Sequence, residues 1–174
     1  MRRREAVKPV QAPEPPSMKR FVKVERLQLI GVPILATVAL AGLFGAFDDT
    51  SARGSAGGSP LAMHVEFPSR VQFEQSKPLT IEVRNESSDA LGEVAVEIDR
   101  AYLDGFQPRS FLPEPDQITP AAYVVALGTV QAGEVRRVVL EVRPETIGRR
   151  QGAVRVTAEG RRLATIDLST FVFP

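Results

Sequence analysis

The chain has no cysteine and no tryptophan, and only one histidine and two tyrosines among its 174 residues. Without cysteine there is no disulfide, thiolate zinc site, iron–sulfur centre or cysteine nucleophile. A single histidine also excludes the copper site of small exported sandwiches, which needs two histidines and a cysteine. No phosphate-cradling Gly loop, EF-hand spacing or nucleophile elbow occurs anywhere in the sequence. The overall excess of one charge sign is small, at +1, but it sums two unlike regions. Residues 1–26 carry eight Lys/Arg and three Glu, whereas residues 48–174 carry fourteen Lys/Arg and eighteen Asp/Glu. The split between the ends is the signal, and the mean is not.

Between them lies a run without any charge, residues 27–47. At about 1.5 Å per residue its 21 residues reach about 31 Å, the thickness of a bilayer's hydrocarbon core. Eleven of them are Leu, Ile, Val or Phe, which together favour insertion by roughly 3 to 7 kcal/mol. A buried core helix would show a polar stripe, and this run has none. A cleaved signal peptide is the closer rival, since Ala39-Leu-Ala41 and Thr50-Ser-Ala52 have cleavage-like spacing. The long, Pro-rich leading region and the length of the run favour an uncleaved anchor. Lys19, Arg20, Lys23 and Arg26 precede the run and Asp48-Asp49 follow it, so the positive-inside rule places the N-terminus in the cytoplasm. Thr37, Ala41 and Gly45 share one helix face at four-residue spacing, a pattern that lets two helices approach closely.

Residues 1–26 read as a basic, Pro-rich cytoplasmic tail, and Met18 offers a second start. The tail has only Phe21 for base stacking, so no nucleic-acid partner is expected. Residues 48–60, rich in Ser, Ala and Gly, read as a flexible spacer.

From residue 61 the hydrophobic period becomes two. Leu61, Met63, Val65 and Phe67 alternate with polar or small neighbours, and so do Leu79, Ile81 and Val83. Val94, Val96 and Ile98 repeat the pattern, as do Tyr123, Val125 and Leu127, then Val138, Leu140 and Val142, then Val154, Val156 and Ala158. Asn85-Glu-Ser-Ser-Asp and Glu159-Gly160 read as turns. Ile166 and Leu168 are out of phase with Phe171 and Phe173, which predicts a bulge or face switch between them. Seven or eight short strands without helical periodicity predict an all-β antiparallel sandwich over residues 61–174.

The stretch Gly128-Thr-Val-Gln-Ala-Gly-Glu-Val-Arg-Arg-Val-Val-Leu-Glu-Val-Arg-Pro, followed by Gly148-Arg-Arg-Gln-Gly-Ala-Val-Arg-Val, resembles the later strands of bacterial immunoglobulin-like or fibronectin-III-like ectodomains. Leu79-Thr-Ile-Glu-Val-Arg-Asn-Glu-Ser is similar to their second strand. The resemblance implies adhesion, scaffolding or assembly roles, and carries no catalytic residue across.

His64 falls on the polar phase of its strand, as a solvated residue does. Glu93, Glu97 and Asp99 share the outward face of one strand and read as solvated rather than as a glycosidase pair. The connection 102–120 carries Tyr102, Leu103, Phe106, Phe111 and Leu112 among four prolines. Such a loop is either a stiffened partner-binding surface or a crossover whose apolar groups cap the sandwich. The expectation is a non-enzymatic, single-pass protein of the cell membrane, without cofactor or metal. Its outer domain would support or recruit another membrane protein, or a second copy through the helix. The alternative is a binding module for cell-wall glycan or an external ligand.

Overall fold

The computed structural model describes residues 26–43 and 50–174, in a chain that divides into two compact parts, Met1–Leu40 and Ala41–Pro174. Helix α1 spans Arg26–Leu43 and contains Pro33. Proline removes one intrahelical bond, and the Thr37 hydroxyl donates to the Pro33 carbonyl at 2.8 Å. Among the described residues no helix is long and apolar enough to cross a membrane. The end of the uncharged run, residues 44–47, lies outside the described residues, as do Lys19, Arg20, Lys23 and Gly45.

The second part is built from ten strands: β1 (Thr50–Gly58), β2 (Leu61–Gln72), β3 (Lys77–Asn85), β4 (Leu91–Asp99), β5 (Phe106–Leu112), β6 (Gln117–Ile118), β7 (Ala122–Val130), β8 (Val135–Pro144), β9 (Gly148–Ala158) and β10 (Arg161–Phe173). A four-residue helix, α2 (Arg100–Leu103), joins β4 to β5. Hydrogen bonding follows one path, β5-β8-β3-β2-β10-β9-β4-β7-β6, with β1 added on β2. Every pairing is antiparallel except β2 with β10, which run parallel over three residue pairs. The path folds back at that junction into two facing layers. Phe111 near one end of it stacks on Tyr123 near the other, with ring centroids 5.5 Å apart.

The alternation read from the sequence is what fills the space between the layers. Met63, Val65, Leu79, Ile81, Val83, Val138, Leu140 and Val142 are buried from one layer, and Val94, Val96, Ile98, Val154, Val156 and Leu168 from the other. They form a single cluster, and each fully buried aliphatic group contributes roughly 1.5 to 3 kcal/mol. The Glu159-Gly160 turn has positive φ at both residues, 51° and 73°, the two-residue hairpin geometry that suits strand twist.

Three expectations need correction. Residues 50–58 are not a spacer: they form β1, antiparallel to β2 from Thr50 opposite Arg70 to Gly58 opposite Leu61. Ala52, Gly54 and Ala56 face the core at every second position. A side chain on Gly54 would place its Cβ 2.7 Å from Ile166 Cγ2, so small residues are what let β1 close over β10. The composition that suggests flexibility is here a packing requirement.

Secondly, β10 has no face switch. Ala164, Ile166, Leu168, Thr170 and Val172 are buried in one unbroken phase, and Phe171 is half exposed. Its register shift lies earlier, between Arg162 and Ala164. Thr170 holds the inward position because its hydroxyl is satisfied there, 2.8 Å from the Tyr102 hydroxyl and 2.5 Å from the Pro68 carbonyl. Thirdly, the connection 102–120 is not one loop, since it contains the end of α2, all of β5 and the short β6.

Candidate functional site

Tyr102 and Leu103 on α2 and Phe106 at the start of β5 are buried. The Tyr102 and Phe106 rings lie 5.1 Å apart. A side chain at Gly152 would come within 2.5 Å of Tyr102 Cβ and 3.1 Å of Asp99 Cβ, so β9 makes room for α2 by lacking one. Burial pushes the Tyr102 phenol up to about 12, and the hydrogen bond to Thr170 offsets part of that rise. These three residues cap the core and cannot meet a partner; of the expected binding surface only Phe111 and Leu112 remain. Phe111 is half-buried in its stack on Tyr123, while Leu112 is 73% exposed.

The tertiary structure adds a residue to that remnant. Ile118 of β6 pairs with Tyr123 and is 60% exposed, so Leu112 and Ile118 flank the aromatic stack. Here β5 and β6 end the hydrogen-bonded path, each with a neighbour on one side only. A strand edge presents unpaired backbone groups, the usual template for an added strand. In the sequence the signal was the apolar and proline content of 102–120, but the edge itself depends on long-range pairing.

The sequence did not show a second feature, a groove of about 270 Å³ on the outer face of β1, β2 and β3. Arg53, Ser55, His64, Glu66, Thr80 and Glu82 line it. Ser55, His64, Glu82 and Arg137 stand opposite one another on four successive strands. Ser55 Oγ lies 2.7 Å from His64 Nδ1, and Arg137 Nε donates to Glu82 Oε1 at 2.8 Å. In a nucleophile–base–carboxylate triad the carboxylate takes the second ring nitrogen and holds the ring. Here the carboxylate is engaged by an arginine, and the row is a set of surface polar pairs. Arg53 similarly meets Glu66 at 3.3 Å.

Asp99, expected to be solvated, is engaged. It takes two bonds from Arg155, at 2.5 and 3.2 Å, and accepts the Ala153 amide at 2.9 Å. The paired carboxylate holds the Arg155 guanidinium protonated above its ordinary range. Among the described residues no group of three His, Cys, Asp or Glu side chains is placed to hold a metal ion. Of the small-residue face expected on the helix, Thr37 is exposed and Ala41 lies within α1.

No protein-family model matches the chain, and no characterised protein matches it in sequence. In fold it is similar to the CARDB domain of a Pyrococcus furiosus protein, with a TM-score of 0.47 and 11% identity over 65% of this chain and 94% of that one. The cohesin module of a Clostridium perfringens family 33 glycoside hydrolase gives 0.44 and 11%, over 68% of this chain and 98% of that one. An alkylpurine DNA glycosylase of Pseudomonas fluorescens gives 0.38 and 19%, over 67% of this chain but 31% of that one. By its own ten strands the chain is mostly β.

Proposed function

We propose that the protein is a non-enzymatic, single-pass membrane protein whose sandwich recruits a membrane-protein partner along the β5–β6 side. The carrying observation is the exposure of Leu112 and Ile118 beside a pair of strand edges that have no further neighbour. The anchor is the uncharged run 27–47 with its basic flank, which sets the N-terminus in the cytoplasm. In α1, Ile30, Val32, Ile34, Leu35, Val38, Leu40 and Leu43 are all more than half exposed, and a helix apolar all round suits lipid. Thr37, Ala41 and Gly45 offer the helix a closely packed contact with a partner helix or a second copy.

Mild-detergent extraction followed by crosslinking tests this reading. A specific adduct should form and should be lost in the double variant Leu112→Glu, Ile118→Glu. A monomer without any crosslinked neighbour would overturn it. The polar groove around His64 favours a second reading, a module for a hydroxyl-rich ligand such as a cell-wall sugar. Calorimetric titration with cell-wall fragments checks that, and equal heats from wild type and His64→Ala would sink it.

A further inference from the structure

We propose that the end of the sandwich where the chain enters lies against the bilayer surface, with Phe73, Ile147 and Phe171 set among the lipid headgroups. This rests on the anchor reading above. Only Asp48 and Asp49 separate the uncharged run from Thr50, the first residue of β1. A chain advances at most about 3.6 Å per residue, so three steps bring Thr50 within roughly 10 Å of the end of the run. The headgroup layer on one side of a bilayer is itself about 5 to 7 Å deep. A strand that begins so close to the hydrocarbon leaves no room to hold its own end of the domain away from the surface.

The strand register says which end that is. Thr50 pairs with Arg70, Arg70 also pairs with Phe171, and Phe171 pairs with Arg149. At about 4.8 Å between strands, Thr50 and Phe171 are roughly 10 Å apart. Phe73 is fixed beside them by its amide, which donates to the Phe173 carbonyl at 2.8 Å. Ile147 precedes Gly148, the partner of Val172.

The chemistry of this end suits a lipid surface. Phe73, Ile147 and Phe171 are 37%, 55% and 50% exposed, and no turn here buries them. Arg70, Arg143, Arg149 and Arg150 stand at this end, with Glu74, Glu145 and the entering Asp48-Asp49 as their acidic neighbours. Apolar side chains amid basic ones are the composition of an interfacial contact.

The absence of tryptophan makes the test clean. Single Phe73→Trp, Ile147→Trp and Phe171→Trp variants of the full chain are reconstituted into phosphatidylcholine–phosphatidylglycerol vesicles carrying a headgroup nitroxide. Val135→Trp serves as reference, because Val135 is 49% exposed and pairs with Arg84 at the opposite end. All four sites are exposed and each variant is read separately, so one folded variant of the three suffices. Flotation with the vesicles, with most emission lost at 73, 147 and 171 and little at 135, is the expected result. Flotation with equal emission at all four sites would overturn this contact and leave the anchor standing. A chain that does not float with the vesicles overturns the anchor, and this inference with it.

Discussion

The two ends of the sandwich are each held by a buried polar group, but the groups are wired differently. At the end away from chain entry, Asn85 is fully buried and sits at the centre of a branched set of bonds. Its Nδ2 donates to the carbonyls of Asp89 and Val130 at 2.7 and 2.9 Å, and its Oδ1 accepts from the Ser87 amide at 2.9 Å. The Ser87 hydroxyl lies 2.7 Å from both Asn85 Oδ1 and the Asp89 carbonyl. The Asn85 backbone pairs with Glu134 and Gly133, so one residue fastens the β3–β4 turn to the β7–β8 turn. At the entry end the bonds run in series. Thr170 spends its proton on the Pro68 carbonyl, so the Tyr102 hydroxyl must donate to Thr170. A hub concentrates its bonds in one side chain, whereas a relay spreads them over three elements, α2, β10 and β2.

That difference orders what breaking each should cost. Asn85→Ala leaves a buried carbonyl and a buried amide unpaired and should destabilise the fold by about 3 to 5 kcal/mol. Urea unfolding followed by circular dichroism measures it, and a loss under about 1 kcal/mol would show that the hub is dispensable. The relay should show itself in alkali. Tyr102 has its folded pKa raised to about 12 from 10.0. Neutral Tyr102 therefore supports the fold fully below pH 10, and that support fades as pH rises toward 12. The loss should be roughly 2 to 3 kcal/mol, a slope that Tyr102→Phe removes. An unchanged alkaline slope in Tyr102→Phe would assign it to another group.

Thr170→Val keeps shape but strands the Pro68 carbonyl and the Tyr102 hydroxyl, for about 1 to 3 kcal/mol. Because the relay joins β2 to β10, hydrogen exchange at residues 70–72 and 171–173 should quicken more than exchange at the Asn85 end. Uniform quickening would mean that the two ends are not independent. The smallest effect belongs to Gly54→Ala, whose new methyl meets the stiff Ile166 side chain. A cost of about 1 kcal/mol, confined to exchange in β1, is expected; a global loss would place β1 in the cooperative core.

The same contrast explains how much was legible beforehand. Asn85 stands in Asn-Glu-Ser-Ser-Asp, a recognisable turn, because most of its side-chain partners lie within four residues. Tyr102 and Thr170 are 68 residues apart, and nothing local marks either as half of a pair. Tyr102, Leu103 and Phe106 were readable as a binding surface and more readily as a cap, and burial decides for the cap. Leu112 survives as a surface residue, and Ile118 joins it through a pairing that local pattern does not show.

By itself the sequence determined the local and periodic properties. Alternation at Leu79–Val83, Val138–Val142 and Val154–Ala158 dictated inward faces, because a strand turns successive side chains to opposite sides. The charge-free run and the lack of cysteine follow from composition alone. Tertiary structure decided whatever depends on a distant partner. It made residues 50–58 a strand, because small residues fit beneath Ile166, and it turned Thr170 inward, because Tyr102 and Pro68 satisfy it. It also gathered Phe73, Ile147 and Phe171 at the end where the chain enters. A polar or small residue takes its place from what it meets across the fold, and the order of the chain does not record that.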